Sequence, residues 1–303
     1  MCEKRVEQKR FKIGDTYFGG EVGKRATVLI GSLFYKGDKS VESHGDGVFD
    51  KGEVTQILEE VEELSEKTGV PYGLDVIAQS AKAMRSYLSF LCEKTDAPLF
   101  IDGLSEDARV EGYRYSSQTG IASKCAVNTL TLHTSEGELE EIKNAGIEAA
   151  LLQAMGSDCV TPDAKIKVLR SSLIPMAERA MISKILVDVG VLDASSIVIA
   201  AESIRQIKDS FGLPAGCAPS NAAYAERARG GLKLEGVRSL NVAFTTFLQV
   251  FGADFIIFGP LKAARYIFAT SAVIDALFLY RARLGGEKID ASLSALIRFL
   301  ASL

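Results

Sequence analysis

The sequence has few of the residues that bind metals or form disulfides. Its 303 residues include no tryptophan, two histidines and five cysteines. The cysteines are scattered, odd in number and without a C-x-x-C pair, which argues against a disulfide framework and a zinc knuckle. His44 and His133 do not lie at metal-ligand spacing from each other or from a cysteine. We therefore expect reduced thiols and no metal site.

The chain also lacks an excess of one charge and a long apolar run. Its 35 basic and 39 acidic residues give a net charge of −4, without a long basic cluster, so we expect no nucleic-acid partner. Residues 1–10 are charged throughout, unlike a secretory signal. The longest apolar run, 267–280, contains Asp275 and is shorter than the ~20 residues of a membrane span. We expect a cytoplasmic protein in which this run is a buried helix.

Strand-like and helix-like segments alternate along the whole chain. The pattern predicts an α/β fold, a (β/α)8 TIM barrel in a single domain over residues 1–303, with a doubly wound sheet as the alternative. An N-terminal β-hairpin is predicted over 11–20, able to cover one end of the barrel. A long helix is predicted over 161–181, and an amphipathic C-terminal helix over 291–303. The eight predicted barrel strands lie at 27–35, 72–77, 99–102, 124–128, 146–155, 184–188, 215–218 and 253–259.

Two segments that resemble familiar motifs do not fit them. Residues 19–25 are similar to a phosphate-binding P-loop, but the spacing is one residue short and Arg25 replaces the Ser/Thr. We interpret them as the loop that leaves the hairpin. Ser220 lacks the flanking pattern of a nucleophile elbow, and no histidine is assigned near it. A Ser-His-Asp triad is therefore not predicted.

Short carboxylate or amide side chains follow several predicted strands. A single Asp or Asn at such a position is equally well a helix cap, but the carboxyl ends of barrel strands converge on one mouth. With no Lys or Arg nearby, this group is unsuited to phosphate. It suits a neutral heterocycle rich in N–H donors, such as a pterin. The residues concerned are Asp75, Asp102, Asn128, Asp188 and Asn221.

Four segments carry a resemblance to a known family. Residues 28–37, 186–188, 216–222 and 252–255 with 259–260 resemble the MtrH subunit of tetrahydromethanopterin S-methyltransferase and its bacterial relatives, which methylate tetrahydrofolate in glycine betaine metabolism. Cys217-Ala218-Pro219-Ser220-Asn221 is the most specific match. The resemblance extends over nearly the whole chain and favours the bacterial members.

The resemblance implies a pterin-binding barrel that moves a methyl group from a methylated corrinoid protein to N5 of tetrahydrofolate. Asp102, Asn128 and Asp188 would hold the pyrimidine edge and ring nitrogens, supported by Asp75. Asn221 would lie nearest N5 and, with Asp188, act in catalysis, and Ser220 would join the pterin site.

The resemblance also implies partners for the chain. Cobalamin is expected on a separate corrinoid protein that docks over the barrel mouth, because the chain has no Asp-x-His-x-x-Gly cobalt-ligand motif. Apart from the resemblance, the amphipathic C-terminal helix could cover the base of its own barrel or form a dimer, and we expect a homodimer. One alternative is the MtrH subunit of the methanogen complex, which takes methyl from methyl-tetrahydromethanopterin to a corrinoid. A second alternative is a non-catalytic pterin-binding subunit.

Overall fold

The computed structural model describes residues 6–303, so Cys2 and the first charged residues lie outside it. The chain begins with an antiparallel hairpin of β1 (Arg10–Ile13) and β2 (Thr16–Gly19), which confirms the predicted hairpin. Its Ile13 and Phe18 side chains are fully buried in one cluster with the inward-facing residues of the barrel. Phe18 also contacts the Phe100 ring edge to face, at 5.8 Å between centroids. The hairpin therefore closes the N-terminal end of the barrel.

Eight parallel strands form a closed barrel, which confirms the predicted TIM barrel. Its strands follow one another around the barrel in chain order, and the last strand, β12 (Phe255–Pro260), pairs with the first, β3 (Val28–Leu33), to close it. The remaining two strands, β4 and β5, form a small hairpin in the loop after β3. The strands are β3 (Val28–Leu33), β4 (Val41–Ser43), β5 (Val48–Phe49), β6 (Tyr72–Ala78), β7 (Leu99–Gly103), β8 (Cys125–Leu130), β9 (Ala149–Gln153), β10 (Lys184–Asp188), β11 (Ala215–Cys217) and β12 (Phe255–Pro260).

The helices pack around the outside of the barrel. Ser80, as predicted, caps the helix that follows it by accepting a hydrogen bond from the Ala83 N–H. The helices are α1 (Lys51–Thr68), α2 (Ala81–Lys94), α3 (Glu106–Gln118), α4 (Glu136–Ala145), α5 (Pro162–Val168), α6 (Ile174–Arg179), α7 (Ser196–Phe211), α8 (Pro219–Ala228), α9 (Leu234–Val250), α10 (Ala264–Leu284) and α11 (Ser294–Ala301).

The long helix predicted over 161–181 is confirmed, because the chain is helical without a gap over residues 162–179 and Thr161 caps its first turn. A π-helical turn, Leu169–Leu173, separates α5 from α6. Pro175 accounts for this π-helical turn, because proline has no N–H to donate to the carbonyl four residues earlier and its ring crowds that carbonyl.

Helix α10 contains the apolar run and packs as the last barrel helix. Within residues 6–303, Leu261–Leu284 is the one helical segment long and apolar enough to cross a membrane by length and composition. The sequence prediction that the apolar run is too short for a membrane span is therefore wrong about its length. Ile267, Phe268 and Leu279 of α10 are buried. Helix α11 packs on this side of its own barrel, with Leu296 and Phe299 buried. Its apolar face is therefore used within the chain.

Candidate functional site

A cavity of about 460 Å³ opens at the C-terminal end of the barrel. Successive residues of a strand point to opposite sides, so alternate residues face the interior. The lower inward-facing residues, such as Val28 and Phe100, are apolar and meet the hairpin. All six predicted site residues line the cavity, which is surrounded by Ser32, Tyr35, Lys36, Asp75, Ile77, Asp102, Asn128, Gln153, Asp188, Ala218, Ser220, Asn221, Tyr224, Ile257, Gly259 and Pro260.

Asp75 of β6 is held by side chains from two other strands, the adjacent β3 and β8, which lies beyond β7. Its Oδ2 accepts a hydrogen bond from Ser32 Oγ at 2.7 Å, and its Oδ1 accepts one from Asn128 Nδ2 at 2.8 Å. Burial raises the pKa of Asp75 to about 6, although both hydrogen bonds favour the ionised form. The Asn128 Nδ2–Asp75 bond also fixes the Asn128 amide, so its carbonyl oxygen stays available to a ligand N–H.

Asp102 lies beside Asp75 but has no hydrogen-bond partner within residues 6–303. Burial raises the pKa of Asp102 well above its ordinary value, the Asp75 carboxylate raises it further, and the Arg109 guanidinium lowers it. The Asp102 side chain is half-buried in the cavity wall, and an acceptor with reduced access to water gains from a ligand that supplies donors. Asp102 is therefore the acceptor most available to a bound molecule.

Asp188 occupies the same level on the far side of the cavity. Its Oδ1 accepts a hydrogen bond from the Gly190 N–H at 2.8 Å, and Gln153 Nε2 lies 3.5 Å from its Oδ2. Burial raises the pKa of Asp188, opposed by the Gly190 and Gln153 donors and by the Lys165 ammonium. Oδ2 is thus only weakly satisfied and can accept from a ligand.

The prediction that no Lys or Arg lies near these acids is wrong. Lys165 of α5 is buried and donates to the Ala154 carbonyl at 2.8 Å, close enough to affect Asp188. Lys36 lines the edge of the cavity and is exposed. Lys165 lies on a helix shortly before the π-helical turn, in a segment with no strand-end signal, so the sequence pattern does not reveal its position.

Asn221 and Ser220 lie in the first turn of α8, not at the end of a strand as predicted. Strand β11 stops at Cys217, because Pro219 has no N–H for a ladder and suits the first turn of a helix. Asn221 is exposed and makes no side-chain hydrogen bond within residues 6–303. Ser220 is buried, and its Oγ donates to the Ile257 carbonyl at 3.2 Å. The Asn221 amide is thus available to a ligand, whereas the Ser220 hydroxyl links α8 to β12 by a hydrogen bond.

A glycine allows this close packing. Gly259 has φ +83°, and a Cβ there would lie 2.9 Å from the Ser220 Cβ. A larger residue would be strained in this conformation and would push α8 away from the mouth.

Three of the lining residues that were not predicted carry polar groups into the cavity. Ser32 and Gln153 face the cavity from β3 and β9, and Tyr224 faces it from α8. The two-residue alternation gives a signal for Ser32, because Val28 and Ile30 face the interior and the next alternate residue is Ser32. Tyr224 lies one helical turn after Ser220, which only the observed helix makes apparent.

A closed (β/α)8 barrel with carboxylates and amides around a cavity at the C-terminal strand ends defines a TIM-barrel protein suited to a small polar ligand. Solved structures share this fold. Dihydropteroate synthase from Xanthomonas albilineans has a TM-score of 0.62 at 16% identity, covering 93% of this chain and 100% of that chain. The Yersinia pestis enzyme has a TM-score of 0.63 at 13% identity, covering 88% and 98%. At these identities the likeness concerns the fold alone.

The chain belongs to the family described as tetrahydromethanopterin S-methyltransferase MtrH subunit, whose model matches residues 6–289. The MtrH protein of Methanothermobacter marburgensis is 30% identical over 296 residues, covering 94% of this chain and 96% of that protein. The MtrH protein of Methanopyrus kandleri is 26% identical over 294 residues, covering 90% and 91%. The predicted MtrH family is confirmed, and with it the methyltransferase class. The bacterial tetrahydrofolate branch is not shown.

Proposed function

We propose that the chain binds an N5-methylated tetrahydropterin of the tetrahydromethanopterin type in the barrel cavity and passes the methyl group to a corrinoid on a partner protein. The sequence favoured tetrahydrofolate. The methanogen relatives are named for tetrahydromethanopterin, which supports the alternative. The observation that carries the proposal is the unpaired Asp102 carboxylate facing the cavity of a barrel from this family.

The donor and acceptor inventory of the cavity fits a pterin. An amino-pyrimidinone edge offers adjacent N–H groups, which a carboxylate accepts in parallel. Asp102 and the weakly satisfied Oδ2 of Asp188 are such acceptors, and the Asn128 carbonyl can accept from a ring N–H. Asp75 supports Asn128 through its hydrogen bond. The cavity thus replaces the water that a pterin loses on binding.

Asn221 is the residue we assign to the reacting nitrogen. When the methyl group leaves, N5 keeps the electron pair of the broken C–N bond and takes up a proton, while the partner's cobalt(I) supplies both electrons of the new Co–C bond. An amide without another partner can hydrogen-bond N5 in both protonation states. The remaining task of the protein is to position the two reactants in line.

The partner must approach from the mouth, because the hairpin closes the other end of the barrel. Exposed apolar side chains follow four neighbouring strands, β7 to β10, on one side of the mouth. They are Leu104, Leu132, Val160 and Leu192, with exposed fractions of 63%, 44%, 56% and 67%. We call them the apolar rim and assign the corrinoid protein to it. The homodimer stays a prediction.

The test is a calorimetric titration with tetrahydromethanopterin and, in parallel, tetrahydrofolate. Methyl transfer from each methylated pterin to cob(I)alamin is then followed by absorbance. We expect tetrahydromethanopterin to bind more tightly and to support transfer. Tighter binding and transfer with tetrahydrofolate would restore the folate hypothesis, and binding without transfer would favour the non-catalytic pterin-binding protein. Failure to bind either pterin would overturn the proposal.

A further inference from the structure

A buried ion pair lies directly behind Asp102. Arg109 of α3 donates from Nε and Nη2 to the two carboxylate oxygens of Glu138 on α4, at 2.6 and 2.7 Å. Tyr113 donates its hydroxyl to Glu138 Oε1 at 2.9 Å. The Glu138 side chain is 1% exposed and that of Arg109 22%. A bidentate pair with a further donor holds the guanidinium in one orientation.

The third nitrogen of Arg109 reaches the backbone next to Asp102. Nη1 donates to the Gly103 carbonyl at 3.0 Å. A Cβ at position 103 would lie 2.6 Å from Arg109 Cγ and 2.7 Å from its backbone nitrogen. Glycine at 103 is thus what allows the two segments to approach so closely. Since the Asp102 carboxylate has no partner within residues 6–303, its direction depends on this backbone.

We infer that Arg109, held by Glu138, is a positioning residue that fixes the Asp102 carboxylate at the cavity and offsets the negative charge of Asp75. The charged groups that face Asp102 are Asp75 of β6 and Arg109 of α3, and Glu138 of α4 faces Arg109. The inference rests on the proposed function in that Asp102 is the pterin acceptor. Without Arg109, the loop after β7 loses its anchor and Asp102 protonates more readily.

A second and more exposed ion pair, with side chains 54% and 29% exposed, serves as the control for a merely structural role. Arg114 and Glu141 form a second bidentate pair between the same two helices, with Arg114 Nε 2.9 Å from Glu141 Oε2. It lies five residues, about 7.5 Å, further along α3 from the barrel mouth. It joins α3 to α4 without touching the Asp102 loop.

The experiment compares Arg109→Met with Arg114→Met by calorimetric titration of tetrahydromethanopterin as a function of pH. We expect Arg109→Met to weaken binding ~10- to 100-fold and to move the acid limb of the binding profile to higher pH, since Asp102 must be ionised to accept. Arg109→Lys should restore the position of the acid limb more than the affinity, because lysine keeps the positive charge but cannot form the bidentate hydrogen bonds of the guanidinium. Arg114→Met should change neither.

The inference would be overturned if Arg109→Met and Arg114→Met lost the same amount of pterin affinity. It would also be overturned if Arg109→Met weakened binding but left the acid limb of the binding profile at the same pH. Because Arg109→Met leaves a buried unpaired carboxylate, the double variant Arg109→Met/Glu138→Gln is measured beside it. A carbon-13 titration of the Asp102 carboxyl needs no ligand. A higher midpoint in the double variant than in the wild type supports the inference even if no pterin binds, and an unchanged midpoint contradicts it.

Discussion

Asp75 shows how a single carboxylate lowers the stability of the site that it builds. Because burial raises its pKa in the folded state to about 6, protonated Asp75 is favoured by folding. Its stabilising contribution is therefore present below the unfolded pKa of about 3.9 and is lost as the pH rises through about 6. At neutral pH the ionised Asp75 is a net cost, which two hydrogen bonds reduce.

We predict that Asp75→Asn makes the chain more stable at neutral pH by ~1 kcal/mol and abolishes tight pterin binding. This gain is smaller than the free energy that corresponds to the whole pKa shift of Asp75. The reason is that an amide at position 75 faces the Nδ2 donor of Asn128, which in the wild type bonds to a carboxylate. Urea unfolding of both proteins across pH checks the prediction. The gain should grow between about pH 4 and pH 6 and then level off. A gain that does not vary with pH would show that the Asp75 charge is not its source.

Asn221 permits a cleaner functional test, because its exposed amide has no partner within residues 6–303 to lose. Asn221→Ala should leave the unfolding free energy within ~0.5 kcal/mol and pterin affinity within a few-fold. Methyl transfer should fall ~100-fold, the scale for removing one donor at a developing charge. Single-turnover rates and calorimetric affinities separate the two effects. Parallel losses in rate and affinity would make Asn221 a binding residue.

At the scale of elements, the N-terminal hairpin acts as a plug whose two faces differ. Phe18 is fully buried against Phe100, whereas Tyr17 on the same strand is 46% exposed and lies under the Arg10 guanidinium. We predict that Phe18→Ala lowers the unfolding free energy by ~3 to 5 kcal/mol. Tyr17→Ala should cost only ~1 kcal/mol, the loss of a surface cation–π contact. Similar values for both variants, measured by urea unfolding, would contradict the plug.

The elements also show what the sequence could predict. The buried strand β3 and the capped helix α2 follow from local signals, an apolar run and a serine cap, which tertiary packing did not override. The π-helical turn before α6 had a signal in Pro175. The site was predictable where strand-end position decides it, as for Asp102 and Asp188. The Arg109–Glu138 pair was not, because contacts between residues 29 positions apart on different helices leave no periodic pattern.

For the whole molecule, the decisive feature is that access to the cavity is limited to one end. The hairpin fills the N-terminal end with Ile13 and Phe18, so the proposed pterin and the proposed partner would share the mouth. The apolar rim occupies the β7 to β10 side, and the opposite side carries Lys36 and α8 with Asn221. A partner seated on the rim would leave the Asn221 side of the cavity open for the pterin.

We predict that Leu104→Asp and Leu192→Asp slow methyl transfer to a corrinoid protein and leave transfer to free cob(I)alamin unchanged. Both leucines are over 60% exposed, so the substitutions should cost little stability. Each buries a charge in the complex, and a ~10-fold or greater rise in the KM for the corrinoid protein is expected. Leu277→Asp on α10, 51% exposed and away from the mouth, is the control. Docking on the apolar rim would be excluded if Leu277→Asp raised the KM for the corrinoid protein as much as the rim variants do. It would also be excluded if neither rim variant raised this KM.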